Sequence, residues 1–418
     1  MTFLSNRQAM GYAMVSGRQA DTPLLKRSSL GVTTISTAHQ LRFLHVGGRM
    51  GLSTEIQPIF GSFQLKRSNL GALRVTHSLS LAALLKIKLL VTLTSVSITL
   101  PHDVTAEHLQ HSIGTLKALE TLEVHQSPDT ALKAKGRSKK RDFSLKTGEG
   151  LNNALCRTSP LKNLRTLTVD GDSIAQDMTA ATLSPQCLET LHFIASGIKA
   201  ENMVRALTVH LQRNKTLVHL SIRVAEGELD AKDQSWFVSV DTIFQEIGAL
   251  RNLRKMWIEG IPTLGYKRVA ADFAKTVLPN LAVLEELVYI PDTVSKRKRH
   301  HLPRLETLLE VQKHSKHLKV LDMAFLLPKK APDTSPKHVS KHCLRNLSIR
   351  GASKRGDDGA KLAAVIDVAR FLDMVFPHLR KVTVECIGSK EEKGFGRWDQ
   401  IEGLVLMNQA MRTDRGRV

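Results

Sequence analysis

Residues 164–169 read LRTLTV, and residues 188–193 read LETLHF. Both stretches place an apolar side chain at positions one, four and six, and the residues between them are mostly polar or charged. Apolar residues that alternate with polar ones have the spacing of a half-buried β-strand, because successive side chains of a strand point to opposite faces. Each stretch therefore predicts a short strand with one apolar face.

The same pattern recurs along most of the chain, in which 59 of 418 residues are leucine. Its first leucines lie 23 to 45 residues apart, about 31 on average. They are Leu41, Leu70, Leu93, Leu119, Leu164, Leu188, Leu217, Leu253, Leu284, Leu318, Leu344 and Leu379. A period between 20 and 50 residues is typical of proteins built from stacked repeats.

Apolar residues at helical spacing lie between several of these strands, at residues 199–214, 236–250, 266–278 and 362–376. Each repeat is therefore a strand followed by a connection that holds a helix. Such a unit cannot bury its apolar side alone, so the repeats must stack on one another to form a continuous core.

With this pattern the chain resembles the leucine-rich repeat family, in particular its ribonuclease-inhibitor-like branch and the repeat region of F-box proteins. Residues 164–174 and 188–198 fill the family's eleven-residue consensus, except that Asp172 and Ser196 stand where the family usually has Asn or Cys. The resemblance implies an α/β fold of about 12 repeats. This fold is a right-handed solenoid, or horseshoe, with parallel strands on the concave face and helices on the convex face.

The repeats predict a solenoid over residues 41–388, with a basic insertion at about 127–160. Residues 1–40 are expected to be an N-terminal tail or an incomplete capping repeat, and residues 389–418 a C-terminal cap or tail. No F-box-like helical segment is visible before Leu41. An adaptor module of that kind is expected either to be absent or to lie upstream.

Positions three, five, seven and eight of each repeat are expected to face solvent on the concave side. Positions five and seven carry three basic and five acidic residues, although the whole chain has a formal charge of +21. They are Arg74, Arg223, Arg350, Glu123, Asp170, Glu259, Asp322 and Glu385. A nucleic-acid groove needs clustered Lys and Arg, so this composition argues against one on the concave face.

Trp257 is the main candidate for partner binding, because it falls at position five, with Ile194, Val288 and Ile290 expected nearby. An exposed aromatic side chain beside apolar ones is typical of a contact site. A register slip would instead place Trp257 in the core. The other candidates for partner contact are Arg223, Glu259, His192, Asp322 and Arg350.

Two clusters of basic residues lie in long connections between strands. The first contains Lys133, Lys135, Arg137, Lys139, Lys140 and Arg141, and the second Lys296, Arg297, Lys298 and Arg299. Such clusters suit a nuclear-import receptor, RNA or acidic lipid, or they are solvated loops that keep a leucine-rich protein in solution. No aromatic residue interleaves with them, so base stacking is not predicted.

The sequence predicts no enzyme, metal site or cofactor, because no motif for nucleotide binding or metal-dependent hydrolysis is present. His338 and His342 precede Cys343, but Cys343 and Cys187 both stand directly before a strand leucine and are expected to be buried structural residues. Four scattered cysteines favour a reducing compartment, hence an intracellular protein, cytoplasmic and/or nuclear.

The apolar segment at residues 79–100 contains Lys86 and Lys88, which favours a buried segment over a membrane span. Taken together, the sequence predicts a non-catalytic protein-interaction scaffold that binds an unidentified protein through its concave strand face. A narrower form is a substrate-recognition subunit of a ubiquitin ligase. The alternative is a protein that binds a polyanion, RNA or acidic lipid, through the basic loops 133–141 and 296–299.

Overall fold

A computed structural model gives the fold of the chain. It describes residues 12–17, 42–48, 69–100, 104–126, 161–171, 187–195, 200–224, 235–261, 273–291, 302–326, 341–352, 362–386 and 400–415. The chain forms two compact units, which are residues 1–198 with 205–214 (unit 1) and residues 199–204 with 215–418 (unit 2).

Unit 1 contains seven described strands, and each pairs in parallel with the next one along the chain. They are β1 (Tyr12–Gly17), β2 (Phe43–Gly48), β3 (Ala72–Ser78), β4 (Ser95–Leu100), β5 (Thr121–Gln126), β6 (Thr166–Gly171) and β7 (Thr190–Ala195). Strand β1 lies in the segment that the sequence left as a tail or an incomplete repeat.

Unit 2 contains six described strands, again parallel and in sequence order. They are β8 (His219–Val224), β9 (Lys255–Ile261), β10 (Glu286–Pro291), β11 (Val320–Leu326), β12 (Asn346–Ala352) and β13 (Lys381–Cys386). Every strand from β2 to β13 begins two residues after one of the twelve predicted leucines. In each unit the predicted α/β fold class, stacked parallel strands with helical connections, is confirmed.

Helices occupy many of the described connections. They are α1 (Leu81–Lys86), α2 (Ala106–Ser112), α3 (Ala200–Arg213), α4 (Ser235–Gly248), α5 (Thr307–His314), α6 (Leu362–Val375) and α7 (Ile401–Arg415). Short turns of 3-10 helix lie at Ile87–Leu89 and Leu278–Asn280, and a π-helical turn lies at Phe273–Val277. The helices expected at 199–214, 236–250 and 362–376 are thus present, whereas the region of 266–278 is described only from Phe273 onward.

The leucine positions form the core of each unit. Position one from Leu70 to Leu379 and position four from Leu44 to Val382 are buried, with no more than 3% of any side chain exposed. Position six is equally buried from Val75 to Ile349. Full burial of one such side chain contributes about 1.5–3 kcal/mol, so three per repeat supply most of the drive for stacking.

Position eight was expected to face solvent, and this expectation is wrong for most of the described strands. The residues at this position are buried at Leu100, Gly171, Ala195, Val224, Gly260, Phe325 and Gly351. Both small residues and large apolar ones occur at position eight in no fixed order, so its burial could not be predicted from its residue types.

Two further details depart from the sequence-based expectations. Cys187 and Cys343 are exposed rather than buried, because the residue before the strand leucine lies on the outer side of the turn that enters the strand. Leu362, which falls on the apolar face of its helix by spacing, is exposed because it is the first residue of α6.

A buried position that was missed lies three residues before several of the strand leucines. Leucine occupies it at Leu90, Leu116, Leu161, Leu250 and Leu281, and all five are buried. In each case its carbonyl oxygen accepts a hydrogen bond, about 3.1–3.2 Å long, from the N–H of the strand leucine itself. A backbone hydrogen bond therefore closes the turn before the strand, and a fourth buried leucine of the repeat lies in this turn.

A backbone ladder joins neighbouring repeats at position two. The carbonyl oxygen of Arg254 accepts the N–H groups of both Glu285 and Glu286, at 2.8 and 3.0 Å. The same forked bond recurs from repeat to repeat within each unit. Equivalent residues of consecutive repeats are therefore held directly beside one another.

Among the residues that the structure describes, no helix is long and apolar enough to cross a membrane. The segment at 79–100 divides into α1, a 3-10 turn and β4, and its Leu84, Ile87 and Leu93 are buried in unit 1.

The buried imidazole of His210 predicts acid destabilisation. Burial, with a smaller contribution from Arg213, lowers the pKa of His210 to about 4. The unfolded chain takes up this proton near pH 6.5 and the folded chain does not, so stability is full above pH 6.5 and falls as the pH drops toward 4. The loss reaches about 3 kcal/mol for this group.

Replacing His210 by Leu, measured by urea unfolding at pH 7.5 and 4.5, should remove most of this difference. The exposed His378→Leu variant serves as the control and should unfold like the parent chain at both pH values. An unchanged pH dependence in His210→Leu would contradict the assignment.

Candidate functional site: the open strand face

Positions five and seven of the strands in unit 2 point away from the buried leucines, and together they form what we call the open face of unit 2. Strand register places them in two rows. The first row is Ser221, Trp257, Val288, Asp322, Ser348 and Thr383, and the second is Arg223, Glu259, Ile290, Ala324, Arg350 and Glu385.

Trp257 is held in place by an ion pair on the open face. The indole Nε1–H donates a hydrogen bond to Oε2 of Glu259 at 3.2 Å. The same oxygen accepts Nε–H of Arg223 at 2.8 Å, and Nη2 of Arg223 lies 2.8 Å from it. Trp257 keeps 39% of its surface exposed, so an aromatic side chain with a fixed orientation faces solvent.

A second ion pair lies two strands away and is better shielded from solvent. Nε of Arg350 donates to Oδ1 of Asp322 at 3.0 Å, and Nη2 donates to Oδ2 at 3.0 Å. Nη1 of Arg350 also lies 3.6 Å from Oε2 of Glu385. The hydrogen bonds to Asp322 are the main cause that raises the pKa of Arg350, and the charges of Glu385 and Glu259 raise it further.

Between the two ion pairs lies an apolar strip that is less exposed than expected. Val288 and Ile290 were predicted to be exposed beside Trp257, but only 4% and 7% of their surfaces are exposed, and Ala324 is fully buried. In the register, Val288 lies between Trp257 and Asp322, so longer side chains flank it on both sides. Trp257 is therefore the apolar group that the face offers to solvent here.

Gly260 fixes how the chain leaves the face after Glu259. Its φ is +82°, in the left-handed region that favours glycine. A Cβ at this position would lie 2.1 Å from the carbonyl oxygen of Val224 on the neighbouring strand. The register between β9 and β10 shifts at the same point, so strand β9 bends immediately after the Trp257–Glu259 pair.

The structure thus brings together five of the six predicted contact residues: Trp257, Arg223, Glu259, Asp322 and Arg350. Trp257 lies on the surface and not in the core, as the chosen register requires. His192 belongs to unit 1, where it is half-buried on β7 opposite Thr168. The sequence marked Glu385 as one of the five acidic residues at positions five and seven. It joins the ion pair of Arg350 and Asp322 through its contact with Arg350.

Unit 1 has an ionisable group on its own strand face that was not selected from the sequence. Nδ1 of His125 lies 3.3 Å from Oδ2 of Asp170, and Nε2 lies 3.7 Å from Oε2 of Glu123. The hydrogen bond with Asp170 is the largest cause of a raised pKa at His125, against an opposing effect of burial. The sequence does contain a signal for this group. Glu123 stands at position five of the same repeat as His125, and Asp170 stands at position seven of the next repeat.

The remaining candidates fall elsewhere. Both basic clusters, 133–141 and 296–299, lie outside the described residues. His342 is buried, its Nδ1 accepts the backbone N–H of Leu344 at 3.1 Å, and its ring packs edge-on against Phe376. Within the described ranges there is no group of three or more His, Cys, Asp or Glu side chains that could hold a metal ion.

The sequence matches no family model and no curated protein. Solved structures similar to this chain include an internalin from Listeria monocytogenes, at 11% identity and a TM-score of 0.38, over 86% of this chain and 80% of that one. A protein from Bacteroides fragilis aligns at 11% identity and a TM-score of 0.29, over 83% of this chain and 66% of that one. At these values neither structure indicates what this chain binds.

The cluster around His125 predicts a measurable shift in titration. Because its pKa is raised, the protonated form stabilises unit 1 fully below pH 6.5, and this stabilisation is lost as the pH rises through the folded-state value. NMR titration should place the pKa of His125 above 6.5. Asp170→Asn should lower it more than Glu123→Gln does, and the reverse order would contradict this arrangement.

The two acids that contact Arg350 should differ in their effect on stability. Asp322→Ala removes a half-buried bidentate pair and should cost about 1.5–3 kcal/mol of unfolding free energy. Glu385→Ala removes a longer, exposed contact on the same arginine and should cost less than about 0.5 kcal/mol. Urea unfolding of both variants measures the difference, and equal losses would contradict it.

Proposed function

We propose that this chain is a non-catalytic scaffold that binds a protein partner through the open face of unit 2, with Trp257 as the anchor. The observation that carries the proposal is an exposed indole whose N–H is already bonded to Glu259. Tryptophan is enriched among the residues that dominate binding energy in protein interfaces.

The ion pair behind Trp257 supports this role because it fixes the indole before a partner arrives. A side chain that is already ordered loses little conformational freedom on binding, and less of the interaction energy is spent on ordering it. Arg223 and Glu259 form an ion pair with each other, so a partner does not have to supply an opposite charge for either side chain.

The surroundings of Trp257 match the usual arrangement of an interface, with an apolar centre and a polar rim. Charged pairs flank the centre on both sides, Arg223 with Glu259 and Arg350 with Asp322 and Glu385. Two arginines face three carboxylates on these strands, so the rim is nearly neutral. A partner segment with an apolar or aromatic side chain and few charges fits this face best.

A narrower form of the proposal makes the chain a substrate-recognition subunit of a ubiquitin ligase, acting inside the cell in the cytoplasm and/or nucleus. It is supported by the resemblance of the repeats to those of F-box proteins. If it is right, affinity purification of the full chain should recover ligase adaptor subunits together with the substrate. Recovery of a partner without any ligase subunit would agree with the scaffold proposal and would contradict the ubiquitin-ligase form of it.

A second candidate function rests on the charge of the two basic clusters, 133–141 and 296–299, which suits RNA, acidic lipid or a nuclear-import receptor. Replacing the ten Lys and Arg side chains of both clusters by Gln tests it. Retention on heparin and nuclear accumulation should both fall, and unchanged behaviour in both assays would remove this candidate.

The scaffold proposal is tested by Trp257→Ala. Partners are first identified by affinity purification with mass spectrometry, and the affinity of each is then measured with purified proteins. Loss of an interface anchor costs at least about 2 kcal/mol, so the variant should bind at least about 30-fold more weakly. Its melting temperature should change little, since the indole is partly in solvent.

Val283→Ala is the matched control, because Val283 is also an exposed apolar residue of unit 2 but lies in the turn before β10. This control should bind every partner like the parent chain. The proposal is wrong if Trp257→Ala keeps all partners at parent affinity.

A further inference from the structure

A second charged surface lies in unit 2, where the strands begin. Positions two and three of consecutive repeats are adjacent there and point to solvent. We call the part of this surface at β12 and β13 the basic edge. Arg345, Arg380 and Lys381 occupy positions two and three there, and Lys316 and Lys341 lie in the segments just before β11 and β12; all five are exposed.

On the earlier strands of unit 2 the same positions are neutralised by acids. Oε1 of Glu285 accepts Nη1–H of Arg254 at 3.1 Å, and its Oε2 accepts Nζ–H of Lys319 at 2.6 Å. Glu286 pairs in the same way with Lys255 at 3.4 Å. The contacts with Lys319, and then with Arg254, lower the pKa of Glu285.

Beyond β11 this neutralisation stops. Among the described residues 341–352 and 376–386, Glu385 is the one acidic residue. It lies toward the far end of β13 and contacts Arg350 on the open face. Positions two and three of β12 and β13 therefore carry positive charge and no acid.

The backbone holds these charges close together. Arg345 N–H donates to the carbonyl oxygen of Lys319 at 2.9 Å, and Arg380 N–H donates to that of Arg345 at 2.7 Å. Neighbouring strands lie about 4.8 Å apart, so like charges at equivalent positions repel each other. This repulsion persists in water, so the arrangement does not serve the stability of the fold.

We propose that the basic edge binds the phosphate backbone of double-stranded RNA. The guanidinium groups of Arg345 and Arg380 can each hold two phosphate oxygens, and a row of phosphates would remove the repulsion between them. Phosphates along one strand of an A-form duplex lie closer together than in B-form DNA, which suits the narrow spacing of the β-strands.

The side chains around the basic edge favour a duplex over other polyanions. No Phe, Tyr or Trp is exposed at residues 316–319, 341–346 or 378–381, so the surface lacks the large aromatic side chains on which successive single-stranded bases stack; the exposed rings within these ranges are the imidazoles of His317 and His378. It also offers no large apolar side chain for insertion into a lipid bilayer. The basic edge uses positions two and three, whereas the open face uses five and seven, so this binding does not depend on the scaffold function.

The test uses the full chain and a fluorescein-labelled RNA duplex of about 16 base pairs, the length that a double-stranded-RNA-binding domain contacts. Binding is followed by anisotropy between 50 and 200 mM salt, the range over which phosphate contacts are lost. The edge variant Arg345→Gln/Arg380→Gln/Lys381→Gln should bind at least about tenfold more weakly at 100 mM salt. The slope of log K against log salt should fall by about 2 to 3.

The matched control is Arg254→Gln/Lys255→Gln/Lys319→Gln, which removes the same formal charge at equivalent positions that are already paired with acids. Its affinity should stay within about threefold of the parent. A variant with the clusters 133–141 and 296–299 neutralised separates the two surfaces, because it should keep the dependence on Arg345, Arg380 and Lys381.

The proposal is overturned if the edge variant binds the duplex like the parent, or if the control loses as much affinity as the edge variant. It is equally overturned if single-stranded RNA, duplex DNA, polyglutamate or phosphatidylserine vesicles bind more tightly than duplex RNA. Circular dichroism of both triple variants should match the parent, since all six side chains are on the surface.

Discussion

Each repeat of this chain can bury its leucines only against the repeats before and after it, and this constraint shapes both units. Side chains at positions one, four and six are sealed by their neighbours. The forked hydrogen bond at position two fixes where the neighbour must stand. A repeat shifted by one residue would expose its leucines and bury its polar residues, because the side chains of a strand alternate between two faces. Register is therefore the property on which the surfaces of the molecule depend.

Fixed register turns residues distant in sequence into partners. Arg223 meets Glu259 within the second row, and Arg350 of the second row meets Asp322 of the first, because the members of each pair lie on adjacent strands of unit 2. The same rule concentrates like charges where acids are missing, at Arg345 and Arg380. One set of stacked strands can thus present a nearly neutral face with an ordered tryptophan and, at another position of the same repeats, a row of uncompensated cations.

The leucine pattern predicted strands β2 to β13 and the burial of positions one, four and six, since these depend on periodicity, whereas it left Trp257 either exposed or, after a register slip, in the core. Side-chain pairing was not predictable, because the bond from Trp257 to Glu259 depends on rotamers that a sequence pattern does not specify. Val288 was misjudged because its burial depends on the size of residues on neighbouring strands. The basic edge was missed for another reason: Arg345 and Arg380 lie 35 residues apart, so no long run of consecutive charges marks them.

The most direct test of register is a disulfide between paired positions on the open face. In a chain whose native cysteines are replaced by serine, Ser348→Cys and Thr383→Cys place two thiols on adjacent strands at paired positions. Their Cα atoms should lie within the 4.4–6.8 Å that a disulfide spans. Mild oxidation should cross-link this pair, and it should leave Ser348→Cys with Val384→Cys reduced, because residue 384 points to the opposite face. Cross-linking of the second pair in place of the first would contradict the register and the arrangement of every surface described above.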